Sequence, residues 1–482
     1  MTQRPFNFHS RRAFLRNAGL GCGTLALTSL LNDEGLLSAA PPARTPRLMQ
    51  VRPPHFAPKA KSVIWLFMPG SPSQVDTFDY KPQLQKSDGT KLAGADPKTG
   101  FFTTSGKCLK SPFKFAQHGE SGAWVSEIFP HMAQHVDDMS LLHSCYSQSN
   151  NHTPAMLEMN SGMFLQGRPC VGSWVTYGLG SQNQNLPGFV VLHGHMPRGG
   201  NPIWSPGFLP KVFQPTTIDG RNNTPISNLA RPKGMTQEQQ RAQLDVLKAT
   251  NGEHESLRPH EADLAARLES FELAYRMQTA APEALDIKQE TAATHKAYRV
   301  DQKETQLDAK QCITAGRLVE RGVRVVQWYA GTNGGGGGVA DVPWDGHNDI
   351  GANHRTAAKS VDQPIGALLA DLKARGMLDE TLVVWGGEFG RTSDSQGSKG
   401  RDHNPHAFTM WMAGGGIKGG VQYGASDEFG YKAVENRVGV NDLHATILHL
   451  LGLDHEKLTY RFNGRDFRLT DVAGRLIKDI LA

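Results

Sequence analysis

Residues Ser62 to Met68 (Ser-Val-Ile-Trp-Leu-Phe-Met) form an unbroken apolar run that Pro69-Gly70 closes. A run of this length, rich in β-branched and aromatic residues and without a polar face, predicts a strand buried on both sides, as in a parallel sheet. The same design recurs at 139–143, 188–192, 323–329, 381–385 and 407–412. Between the runs the period changes to that of a helix, as in 362–375, where Ile365, Leu368, Leu369 and Leu372 share one stripe. Strands alternating with helices predict a layered α/β fold, with a mostly parallel central sheet and helices on both faces. The stretch from about 232 to 320 breaks this alternation. It is rich in Gln, Glu, Ala, Lys and Arg, with Leu264, Leu268, Phe271, Leu273 and Ala274 at helical spacing. It predicts a helical insertion packed on the sheet, its charges forming a solvated face.

Ahead of the first strand the pattern is of another kind. Ser10-Arg11-Arg12-Ala13-Phe14-Leu15-Arg16, a modestly apolar stretch over 18–31 and the small residues Ser38-Ala39-Ala40 follow the order of a twin-arginine signal peptide spanning 1–40. Residues 41–60, with Pro53-Pro54, read as an extended linker, which leaves 61–482 as the folded domain. The expectation is an exported protein, periplasmic or secreted, without a transmembrane anchor, since no stretch approaches the roughly 20 apolar residues that a membrane helix needs. Twin-arginine export carries folded proteins, often with a metal installed, which suits a metalloprotein.

Composition narrows the picture further. Hydrophobic residues at 38% and charged residues at 20% exclude general disorder. A net charge of +5 is too balanced to mark a nucleic-acid surface. Outside 1–40 the cysteines are Cys108, Cys145, Cys170 and Cys312, with no C-x-x-C spacing, so zinc-ribbon and thioredoxin chemistry have no support. A Cys145–Cys170 disulfide and buried free thiols both remain open. The glycine-rich segment 333–338 lacks the Lys-Ser/Thr of a phosphate-binding P-loop and reads as a flexible loop near the site.

In an open α/β sheet ligands bind beyond the carboxyl ends of the strands, so the segments flanking those ends matter most. Gly70-Ser71-Pro72-Ser73-Gln74-Val75-Asp76 follows the first run, and Trp344-Asp345-Gly346-His347-Asn348-Asp349 lies beyond the run at 323–329. Gly386-Gly387-Glu388-Phe389-Gly390-Arg391 follows 381–385, and Arg401-Asp402-His403-Asn404-Pro405-His406 precedes 407–412. Carboxylates and imidazoles recurring in these four loops fit a divalent metal, zinc or manganese rather than the oxygen-loving calcium. Asp76, Asp345, His347, Glu388 and His403 are the candidate ligands, with His354, His406 and His444 in reserve. Arg391 is a candidate clamp for an anion, because a guanidinium engages oxyanions bidentately.

Phe129-Pro-His-Met-Ala-Gln-His-Val-Asp-Asp-Met139, Thr381-Leu-Val-Val-Trp-Gly-Gly-Glu-Phe-Gly390 and Asp442-Leu-His-Ala-Thr-Ile-Leu-His-Leu-Leu-Gly-Leu453 together resemble the alkaline phosphatase/sulfatase superfamily, and more closely its exported domain-of-unknown-function family 1501. The resemblance spans most of 61–470. It implies an alkaline-phosphatase-like fold and a metal-dependent hydrolase of sulfate or phosphate esters acting on an anionic substrate, although a fold alone does not give a function. At the segment where sulfatases carry their nucleophile, this chain has His152-Thr153-Pro154-Ala155-Met156 and then Ser161-Gly162. No Cys or Ser stands there to become formylglycine. His152 then reads as a metal ligand or general acid/base beside an ion-activated water, or as displaced by Thr153 as nucleophile, or as the mark of a site that has lost catalysis. Asn150 and Asn151 are candidate donors to an anionic oxygen. The alternative to the hydrolase is a non-catalytic periplasmic binding or assembly protein that keeps the fold.

Overall fold

The computed structural model describes residues 48–482, except 93, 97, 223–225, 257–261 and 331–338, and gives only backbone within 252–265. The signal peptide expected over 1–40, the start of the linker and the glycine-rich segment 333–338 lie outside the described residues. Residues 48–482 form one compact unit.

All six apolar runs are strands. They are β1 (Ser62–Phe67), β2 (Met139–Tyr146), β3 (Phe189–His193), β5 (Val325–Tyr329), β6 (Thr381–Gly386) and β7 (Phe408–Ala413). Shorter strands β4 (Thr216–Asp219), β8 (Val421–Tyr423) and β9 (Val438–Gly439) complete a nine-stranded sheet. Its order is β8-β2-β7-β6-β1-β5-β3-β4, with β9 also paired to β2. β1 runs parallel to β5 and β6, and β3 runs parallel to β4 and β5.

β1 explains why these runs lack a polar face. Val63, Trp65 and Phe67 enter one hydrophobic cluster and Ile64, Leu66 and Met68 the other. The first cluster is shared with helices α2 (Val171–Leu179) and α7 (Val440–Leu450). The second is shared with α5 (Gln306–Glu320) and α6 (Ile350–Ala374), so the sheet is covered on both faces. Within the stretch expected as an insertion, α3 (Gln237–Ser256) and α4 (Ala262–Leu285) pack on each other, whereas α5 is a core helix of the layer.

Two local expectations change. The run at 407–412 is antiparallel to both its neighbours, β2 and β6. No helix intervenes after β6; a small ribbon pairs Gly390–Arg391 with His403–Asn404 and turns the chain back, and a parallel return would need a crossover. The helix read from 362 starts twelve residues earlier, at Ile350, because the Asp349 side chain accepts from the Ala352 N–H and caps it. All four described cysteines are free and buried, so no Cys145–Cys170 disulfide is present. Among the described residues no helix is long and apolar enough to cross a membrane.

Candidate metal centre

The topology brings four chain segments to one edge. β1, β5 and β6 end there together, and β7, running the other way, begins there; β2 is antiparallel to β7 and so also ends there. Beyond β2 the chain enters α1 (His152–Ser161), whose first residue is His152. The turn after β1 must come very close to the segment after β5. Gly70 has φ +93°, and a Cβ on it would overlap the backbone of Val342, Trp344 and Asp345, so only glycine fits.

His152, Asp345, His347 and His403 present ligand atoms that all lie within 4.8 Å of one another. The Nε2 atoms of His347, His403 and His152 stand 2.9, 3.2 and 3.3 Å from the same oxygen, Asp345 Oδ1. Each imidazole is fixed from behind through Nδ1. His152 meets Glu388 Oε1 at 2.6 Å, His347 meets Gln396 Oε1 at 2.5 Å, and His403 meets the backbone oxygen of Asn150 at 2.6 Å. A carbonyl can only accept, so His403 carries its proton on Nδ1 and turns an Nε2 lone pair toward the Asp345 carboxylate. Second partners of this kind orient metal-ligating histidines.

Such an arrangement opposes acceptors to acceptors unless a cation stands between them. Burial, and the nearby positive charge of Arg391, push His403 down to about 3, so its ring is neutral at neutral pH. For His152 burial disfavours the charged ring, but the carboxylates of Asp345 and Glu388 outweigh it and raise its pKa. Burial works against the charge of Asp345 as well; Arg391 and the three imidazoles overcome it and hold the carboxyl far below its usual range. Three buried atoms, His152 Nε2, Glu388 Oε2 and Arg391 Nη1, lack a hydrogen-bond partner among the described residues. Three imidazole nitrogens, a carboxylate and polar atoms without partners among the described residues fit a divalent metal ion by donor chemistry.

The remaining candidates take other places. Glu388 is not one of the four; its Oε1 holds His152 and also accepts from the Gly70 N–H at 3.0 Å. Asp76 is outside the group too, since both its oxygens meet the Arg401 guanidinium at 2.6 and 3.2 Å and Oδ2 accepts from Ser73. Arg391 is fully buried rather than a surface ion pair. It donates to Asp345 Oδ1 at 2.7 Å and to the carbonyls of Gly70 and Ser71, which leaves Nη1 free. Thr153 is half-buried and faces Gly199. His354 accepts from the Ser73 N–H, and His444 meets the Met159 carbonyl.

Asn150, a candidate donor, and residues that sequence reasoning passed over complete the surroundings. The Asn150 amide is not available to an anion, because it donates to the carbonyls of Thr99 and Gly100. Asp402 accepts from the N–H groups of His403 and Phe102. The buried ring of Phe389 lies 4.6 Å from His403 and 5.0 Å from His152, walling one side. Gln396 and Asn150 act through single oxygens, one of them backbone, and no residue-type pattern announces such a role.

A family model described as "Protein of unknown function (DUF1501)" matches residues 60–481. No curated protein matches the chain. Solved structures similar to it include a sulfatase from Pseudoalteromonas sp., 14% identical, covering 84% of this chain and 69% of its own at a TM-score of 0.36. A phosphonate monoester hydrolase from Silicibacter pomeroyi is 13% identical over 73% of this chain and 71% of its own, with a TM-score of 0.35. A protein of the alkaline phosphatase superfamily from Vibrio parahaemolyticus is 10% identical over 86% and 72%, with a TM-score of 0.33.

Proposed function

The chain belongs to the DUF1501 family, and from that premise and its candidate metal centre we propose that it is an exported, metal-dependent hydrolase of sulfate or phosphate esters. The observation that carries the reading is the convergence of three Nε2 atoms, each fixed from behind, on one oxygen of Asp345. His152, Asp345, His347 and His403 would hold the ion. When bound, zinc or manganese supplies a Lewis acid and lowers the pKa of a water.

The protein's own residues do the rest. Glu388 keeps the His152 proton on Nδ1 and its Nε2 turned inward. Arg391 offsets the charge of Asp345 and offers its unpartnered Nη1 to an oxygen of the ester. Phe389 keeps water from one flank, which strengthens the electrostatic contacts beside it. His152 stands where a covalent nucleophile would, which supports direct attack by water over a formylglycine route, and Thr153 is the second candidate for that role. Export rests on the twin-arginine pattern of 1–40.

Metal analysis of protein purified from the exported fraction, with turnover of aryl sulfates and phosphates, tests the proposal. Zinc or manganese should be present, chelation should abolish turnover, and His347→Ala or His403→Ala should lower metal content and turnover together. His152→Ala should cost about 10² to 10⁴ in rate and Thr153→Ala much less. A metal-free exported protein refutes the reading; a metal-loaded one that cleaves no ester would be the non-catalytic binding protein instead.

A further inference from the structure

Phe101 and Phe102 stand directly outside the centre, and 50% and 49% of their surface faces solvent. Single exposed apolar residues mean little, but two adjacent aromatic rings against a polar cluster are informative. The Phe102 ring lies edge-on to His347 at 5.0 Å and the Phe101 ring lies 5.8 Å from His403, so each adjoins a different candidate ligand. The two rings meet each other in a T at 5.0 Å.

The chain around them is pinned. The Phe102 N–H donates to Asp402 Oδ2 at 2.5 Å, and the Asn150 amide donates to Gly100 O at 2.9 Å and Thr99 O at 3.2 Å. The Tyr431 hydroxyl donates to Thr99 Oγ1 at 2.7 Å. Gly100 is pressed so closely on Asp402 that a Cβ would overlap the carboxylate. Asn150 thus performs two tasks, since its amide carries the strap and its carbonyl orients His403. Asp402 does the same, accepting from Phe102 and from the His403 N–H. The aromatic pair and the metal ligand are held by the same two residues. Their relative position is therefore fixed, and the apolar surface beside the centre is built in.

We propose that Phe101 and Phe102 form a platform for the organic part of the ester: a ring with an apolar face, aryl or sugar, that stacks on the phenyl rings while its anionic group reaches the centre. The proposal rests on the hydrolase reading for its anionic end and deepens it by naming the substrate class. Continuity argues for this occupant, because the two half-exposed rings adjoin His347 and His403, and aromatic faces favour planar or CH-rich ring surfaces.

Calorimetry on the metal-loaded full chain tests it with 4-nitrophenyl phosphate, glucose 6-phosphate and inorganic phosphate, and with the corresponding aryl and inorganic sulfates. Wild-type protein should bind at least one ring-bearing anion about tenfold or more tightly than the inorganic one, a factor worth about 1.4 kcal/mol. In Phe101→Ala/Phe102→Ala that ratio should fall close to one, and Phe101→Tyr/Phe102→Tyr should restore it. Which of the aryl and sugar arms shows the preference identifies the ring. A ratio near one in wild type, no anion binding, or a ratio that survives the double alanine variant overturns the platform. Turnover without a ring preference leaves the hydrolase standing and removes the platform. A ring preference without turnover of any ester does the reverse.

Discussion

Among the described residues, Glu388 makes its hydrogen bonds through one oxygen: Oε1 is shared by His152 Nδ1 and the Gly70 N–H, while the buried Oε2 finds no partner there. A bare carboxylate oxygen sealed from water is costly unless a cation lies near it. In the proposed centre Glu388 would act on the ion through His152, as a positioning residue. Outer partners of metal-bound histidines are worth about 10–100-fold in metal affinity. Glu388→Ala should lower affinity by that range in a chelator competition, and Glu388→Gln by less, because an amide oxygen still accepts from Nδ1. Equal affinity in wild type and both variants would show that His152 is held by something else.

The strands and their common edge were legible in the sequence, because a run such as Ser62–Phe67 has no polar face to leave in solvent and so must be covered twice. Acid–histidine pairs in loops at that edge marked Asp345, His347 and His403. The pattern was silent on which acids find a cation of the protein itself. Asp76 looked like a ligand by residue type and place, yet Arg401, fully buried and 325 residues away, takes both its oxygens. Asp349 looked like part of the same loop chemistry and is a helix cap. Partner choice between distant elements is set by packing, which local spacing does not encode. The Asp76–Arg401 pair also ties the turn after β1 to the ribbon before β7, for Arg401 donates to the carbonyls of Thr392, Ser393 and Leu109. Burial would raise the Asp76 pKa, but Arg401 holds it below 3.8. The pair's contribution is thus present above that value and fades as pH falls through the lower folded pKa. Arg401→Met should destabilise the chain by about 3–5 kcal/mol in urea unfolding at pH 7, since it strands a buried charge. Adding Asp76→Asn should recover part of that loss; no recovery would mean that the carbonyl contacts of Arg401 carry the effect.

Across the whole molecule, buried groups of opposite kinds titrate against each other. Burial lowers His354 from 6.5 to about 3 and His444 to about 4, and it raises Asp362 to about 6 and Glu158 to about 7. For the histidines the unfolded chain takes up protons first, so stability falls as pH drops below about 6.5, by about 1.4 kcal/mol per pH unit for each group. For the two acids the folded chain takes up protons first, so stability rises as pH drops from their folded values toward 3.8 and 4.5. Two groups oppose two between about pH 6 and 4.5, and their slopes cancel there. Below about pH 4.5 Glu158 is protonated in both states, and of these four groups the two histidines then outweigh Asp362, so the loss of stability becomes visible there. Single substitutions should uncover the hidden terms with opposite signs. Relative to wild type, His354→Asn should gain about 2 kcal/mol as pH falls from 6 to 4.5, and Asp362→Asn should lose about the same. Urea midpoints at pH 7, 6, 5 and 4.5 measure both, and because each variant is compared with wild type at the same pH, titration of the metal centre drops out. Asp362 also accepts from the N–H groups of His131 and Met132, so its variant should start lower at every pH, but only the slope reports the proton. Variant curves parallel to wild type would mean that these groups are not held neutral by the fold.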